Sequence, residues 1–119
     1  MGVTYYQAHI HANIGYAYLM LGKYRRATRY FLKVVDVFTD NDKLQFHMAQ
    51  CYVKRKKYKL ALVYLDRAEL LHPNNAGIYY TRGFVLLQQK NRALAITTLQ
   101  KAVELGSQQA GLLLEKLQS

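Results

Sequence analysis

The sequence predicts an all-α solenoid: three antiparallel helix hairpins in tandem, closed by a short C-terminal helix. The first observation behind this is self-similarity without a gap at a shift of 34 residues, which sets three units at 8–41, 42–75 and 76–109. The second is a recurring pair of small positions. Gly15, Ala49 and Gly83 stand at repeat position 8, and Ala27, Ala61 and Ala95 at position 20, so two helices must touch closely there. The third is the interval between large apolar residues. Tyr18, Tyr52 and Leu86 at position 11, and Phe31, Leu65 and Leu99 at position 24, follow steps of three and four rather than the alternation of a strand.

Each unit reads as two helices of about 13 to 15 residues, a common helix length. They divide at Gly22-Lys23, Lys56-Lys57 and Lys90-Asn91. Short turns make the two helices antiparallel neighbours. Ahead of the first unit, Val3, Tyr5 and Tyr6 extend its first helix. Helix-stopping and helix-capping residues separate the units: Thr39-Asp40-Asn41-Asp42, His72-Pro73-Asn74-Asn75 and Gly106-Ser107. The last segment, 110–119, carries Leu112, Leu113, Leu114 and Leu117, enough for a helix that covers the final hairpin. One hairpin cannot bury its own apolar face, so neighbours must stack and the ends must be capped. A poorly covered end favours self-association through these leucines, giving a homodimer.

The composition fits an ordered single domain spanning 1–119: 51% of residues are apolar, 20% are charged, and there is one proline. No apolar run approaches the roughly 20 residues of a membrane span, and the start lacks the layout of a signal peptide. The expected compartment is the cytosol. Cys51 is the only cysteine, which precludes an intrachain disulfide. Met1-Gly2 reads as a cloning remnant, which leaves room for a longer natural chain. The net charge of +10 attracts acidic proteins, nucleic acid or anionic lipid.

On these residues the chain resembles the tetratricopeptide repeat family, whose unit is a 34-residue helix-turn-helix. Ala68 through Pro73-Asn74-Asn75 is the best match. Tyr79-Tyr80-Thr81-Arg82-Gly83 with Ala95 and Ala102 follows, then Gly15, Tyr18, Gly22, Tyr24, Ala27 and Phe31. Position 4, often tryptophan in the family, is His11, Gln45 and Tyr79, and the proline of position 32 survives only as Pro73.

The resemblance implies a right-handed superhelix whose concave wall is built by the first helix of each hairpin. The inward positions would then be His9, Ala12, Asn13, Tyr16, Leu19 and Met20; Lys43, Phe46, His47, Gln50, Val53 and Lys54; and Gly77, Tyr80, Thr81, Phe84, Leu87 and Gln88. Such a wall is aromatic and aliphatic, with Lys43 and Lys54 as its only full charges. It suits a protein or peptide partner with an apolar segment, held by an adaptor or holding chaperone. In size and groove character the chain is also similar to type III secretion chaperones. The carboxylate clamp of family members that bind chaperone tails is missing, because its positions hold Ala12, Tyr16, His47, Gly77 and Thr81.

The cations gather in two windows. Lys23, Arg25 and Arg26 with Arg29 and Lys33 form one; Lys54, Arg55, Lys56, Lys57 and Lys59 form the other. Stacked hairpin turns would place these along one edge, continued by Lys90 and Arg92. The alternative partners are therefore nucleic acid, an anionic surface or an acidic protein. Tyr24 and Tyr58 flank this edge, but at position 17 they are better explained as hairpin packing. Lys33, Arg67 and Lys101 at position 26 read as solvent-facing.

Nothing in the sequence calls for a catalyst, cofactor or metal. His9 and His11 are two apart and diverge on a helix, whereas a two-histidine metal site there needs spacing of about four. His47 and His72 have no converging ligand set, and Cys51 has no adjacent histidine to activate it. The acidic residues form no acid-base pair. The stretch from Gly15 to Gly22-Lys23 has the wrong spacing for a phosphate loop, with Tyr24 where Ser or Thr is needed.

Overall fold

The computed structural model describes residues 4–119, so Val3 and Met1-Gly2 lie outside the described residues. Thr4 starts the first helix with a reciprocal cap. Its hydroxyl accepts from the Gln7 N–H at 3.1 Å, and the Gln7 side-chain oxygen accepts from the Thr4 N–H at 3.0 Å. The helix that follows, α1 (Tyr5–Met20), includes Tyr5 and Tyr6 as the sequence predicts.

After α1 come α2 (Tyr24–Leu32), α3 (Asp42–Lys54), α4 (Tyr58–Leu71), α5 (Ala76–Gln88), α6 (Arg92–Glu104) and α7 (Gln108–Gln118). The described chain is all-α, with its helices packed as antiparallel pairs: α1 on α2, α3 on α4, α5 on α6, and α7 on α6.

One local device ends four of these helices. At Gly22, Lys56, Lys90 and Gly106 the backbone turns left-handed, with φ of 76°, 60°, 67° and 104°. The next residue's N–H then reaches back to a carbonyl five residues earlier: Lys23 to Tyr18, Lys57 to Tyr52, Asn91 to Leu86 and Ser107 to Ala102. Gly22, Lys56 and Lys90 share repeat position 15, where glycine pays no Cβ penalty and lysine does. Side-chain caps start α3, α5, α6 and α7. Asn41 accepts from the Leu44 N–H, Asn75 from Gly77 and Ile78, Asn91 from Leu94 and Ser107 from Ala110.

One element departs from expectation. α2 has 9 residues and stops at Leu32, because the run Lys33-Val34-Val35-Asp36-Val37 is rich in β-branched residues that lose side-chain freedom in a helix. The chain continues in bonded turns that still bury Val34, Val35 and Phe38.

The chain forms two compact units, Met1–Leu71 and His72–Ser119. In the first, α1 to α4 enclose Phe31, Met48, Leu65 and Cys51. Phe31 lies against Gly15, where an added Cβ would stand 2.8 Å from its ring. In the second, Leu99, Ala102 and Ala110 are fully buried. Leu113, Leu114 and Leu117 of α7 pack on that cluster, while Leu112 is 60% exposed.

Candidate functional site

On the N-terminal unit, α1 and α3 present an apolar strip with one well-fixed polar member. Tyr16 is 45% exposed, and its ring lies 5.0 Å from that of His47 on α3. His47 in turn stacks on the buried Phe31, at 6.2 Å and 15° between planes, and its Nδ1 donates to the Gln50 Oε1 at 3.1 Å. The imidazole is thus held between core and surface, and it fixes the tyrosine above it. Met20, one helical turn beyond Tyr16, is 67% exposed. Asn13, Lys43 and Lys54 are exposed and Phe46 is half-buried. His9 joins a different group: its ring is 4.5 Å from Tyr5 and 4.8 Å from Phe38.

In the C-terminal unit, Tyr80, Thr81 and Phe84 of α5 are half-buried and Gln88 is exposed. Tyr80 and Leu87 pack against the cluster of Leu99, Ala102 and Ala110, so part of the tyrosine ring is committed to its own unit's core.

The basic residues divide. Lys23, Arg25 and Arg26, at the start of α2, meet Lys54 and Arg55, at the end of α3, around a cleft of about 470 Å³ that Tyr24 also lines. Arg55 is anchored. Its Nη1 donates to Thr28 Oγ1 at 2.9 Å, and its guanidinium lies 5.5 Å from the centroid of the Tyr52 ring. Thr28 is 2% exposed, and its hydroxyl donates to the α2 carbonyls of Arg25 or Tyr24. Sequence reasoning picked out Arg55 but not Thr28; no periodic signal links residues 27 positions apart. Lys56, Lys57 and Lys59 are exposed and do not line the cleft. Lys90 and Arg92 belong to the other unit, where Arg92 donates to the Leu117 carbonyl and ties α6 to the end of α7. At position 26, Lys33 and Arg67 are exposed and lie 4.7 and 4.8 Å from the Tyr30 and Tyr64 rings, while exposed Lys101 stands 4.0 Å from Glu104.

Among the described residues no three His, Cys, Asp or Glu side chains come together as a metal site. No helix there is long and apolar enough to cross a membrane. Cys51 is fully buried, and burial pushes its thiol from 9.0 up to about 12, with Arg55 pulling the other way. The folded chain therefore holds this proton more tightly than the unfolded chain. Its contribution is complete below pH 9 and is lost as pH rises towards 12. Tyr52 shifts the same way, through burial first and Tyr64 second. In thermal melts across that window, the wild-type midpoint falls more steeply with pH than that of Cys51→Ala; parallel slopes would contradict the assignment.

The model of the family described as anaphase-promoting complex, cyclosome, subunit 3 matches residues 20–102, well over half of the sequence. The chain belongs to this family. It is a tetratricopeptide-like helical-repeat chain, and solved structures agree on the fold. The first tetratricopeptide domain of Spaghetti (RPAP3), solved bound to an HSP90 peptide, superposes with a TM-score of 0.85 at 23% identity, covering 99% of this chain and 95% of that one. The second such domain of human RPAP3, in complex with an HSP70 peptide, gives 0.82 at 24% identity, with coverages of 94% and 98%. The Yersinia enterocolitica type III secretion chaperone SycD, in complex with a peptide of the translocator YopD, gives 0.86 at 16% identity, with coverages of 97% and 95%. No curated protein matches the sequence.

Proposed function

We propose that this chain is a non-catalytic protein-interaction scaffold of the cytosol, an adaptor or holding chaperone that receives an apolar peptide or helix on the first helices of its hairpins. The observation that carries this reading is the strip on α1 and α3, where Tyr16 and Met20 stand exposed beside a His47 that is braced from below. An aromatic ring fixed before binding supplies contact area with little further loss of side-chain freedom. Family membership supports it, since the family description is that of a subunit in a multi-protein complex. So does the fold: RPAP3 domains and SycD were solved with peptides. Phe46 and Lys43 on α3 are the residues expected to adjust specificity.

The test is affinity capture from nuclease-treated lysate at moderate salt, comparing wild type with a Tyr16→Ala, Met20→Ala double variant. Loss of a hot-spot side chain costs about 2 kcal/mol, or roughly thirtyfold in affinity. A partner held by wild type should therefore be lost from the variant while its helical circular dichroism is unchanged. Equal recovery by both proteins would remove the strip from the function. If recovery instead vanishes on charge reversal of Lys56, Lys57 and Lys59 and needs nucleic acid, the exposed basic edge is the working surface.

A further inference from the structure

The cleft at the start of α2 is an unusual concentration of charge. Lys23, Arg25, Arg26, Lys54 and Arg55 surround one space of about 470 Å³, and among the described residues no acidic side chain lines it. Nearby sequence offers no counter-charge either, because none of the chain's seven Asp and Glu falls within residues 1–35 or 43–65. Like charges around one concavity raise the local potential and focus it on whatever enters.

Three features make this more than a solvated edge. Arg55 is pre-ordered by Thr28 and Tyr52, so a guanidinium charge is held on the cleft lining at little further entropic cost. Its Nε is buried and has no hydrogen-bond partner, a donor left unsatisfied. The first turn of α2 opens at the same place. Lys23 occupies the N-cap without a side-chain cap, and no acidic residue follows in that turn, so the positive helix end adds to the field.

We propose that this cleft binds the phosphate of a phosphoserine or phosphothreonine side chain on a partner peptide. A phosphate brings close to two negative charges and three strong acceptor oxygens, which suits a fixed guanidinium charge, flexible cationic side chains and free helix N–H groups together. A single carboxylate brings half that charge. Nucleic acid is the poorer fit: a strand needs a groove tracking successive phosphates with aromatic platforms beside it, and the one aromatic lining this cleft, Tyr24, is half-buried. The site is separate from the apolar strip, and its test does not depend on that strip.

The experiment is fluorescence anisotropy at low and at physiological salt, with a pool of short labelled peptides carrying one central phosphothreonine and randomised neutral flanks. The same pool with threonine, the same pool with glutamate, and a single-stranded oligonucleotide of equal length are the comparisons. The phosphorylated pool should bind at least about tenfold more tightly than either peptide control. It should be displaced by inorganic phosphate and weakened at least about tenfold in Lys23→Gln, Arg25→Gln, two exposed side chains whose loss spares the core. Tyr16→Ala should leave it unchanged. No preference for the phosphorylated pool, no effect of the double variant, or tighter binding of the oligonucleotide would each overturn the proposal.

Discussion

Phe31→Ala lowers the unfolding free energy by about 3–5 kcal/mol, read as a drop in the denaturant midpoint with little change in slope. This is a large share of the total, since domains hold only about 0.05–0.15 kcal/mol per residue. The side chain is 1% exposed and touches three elements at once. It belongs to α2, it fills the space left by Gly15 on α1, where an added Cβ would come within 2.8 Å of the ring, and it stacks under His47 of α3. Its removal leaves a cavity that the glycine cannot fill. The same change takes the floor from His47, so Tyr16 loses its fixed neighbour and partner binding weakens along with stability. A shift below about 1 kcal/mol would mean that Phe31 does not hold the three helices together.

Leu99→Ala in the C-terminal unit costs about 2–5 kcal/mol by the same cavity mechanism. Leu99 is fully buried, and a Cβ on Gly83 would stand 2.5 Å from its Cδ2 and 2.6 Å from its Cγ. Gly83→Ala alone is therefore an overpacking change that costs about 1–3 kcal/mol. Combined, each substitution supplies what the other lacks, because the new methyl occupies the space the leucine vacates. The double variant should be more stable than the sum of the two losses predicts, with a coupling of about 0.5–3 kcal/mol. Urea titration of the four proteins measures it, and strict additivity would show that the two side chains do not share the space.

The two surfaces of the N-terminal unit differ in how they would bind. The apolar strip on α1 and α3 would gain affinity from area and tolerate salt. The cleft would lose affinity as salt rises, because its attraction is electrostatic and screened within about 10 Å at 0.1 M. A partner that carries an apolar segment and a phosphorylated side chain could use both, each adding effective concentration for the other.

The sequence alone determined the hairpin plan. The 34-residue period, the turns at Gly22, Lys56 and Lys90, and the caps at Asn41, Asn75 and Ser107 all rest on interactions within a few residues. Such interactions are legible in a string because position along the chain nearly fixes position in space. Tertiary structure decided the rest. It drew His9 to Phe38 and Tyr80 to the Leu99 cluster. It also joined Thr28 to Arg55 and brought the cations of α2 and α3 around one open cleft. A helical period says which face a residue occupies, but which side chain it meets depends on how neighbouring helices pack, and for Arg55 the deciding neighbour lies 27 residues away.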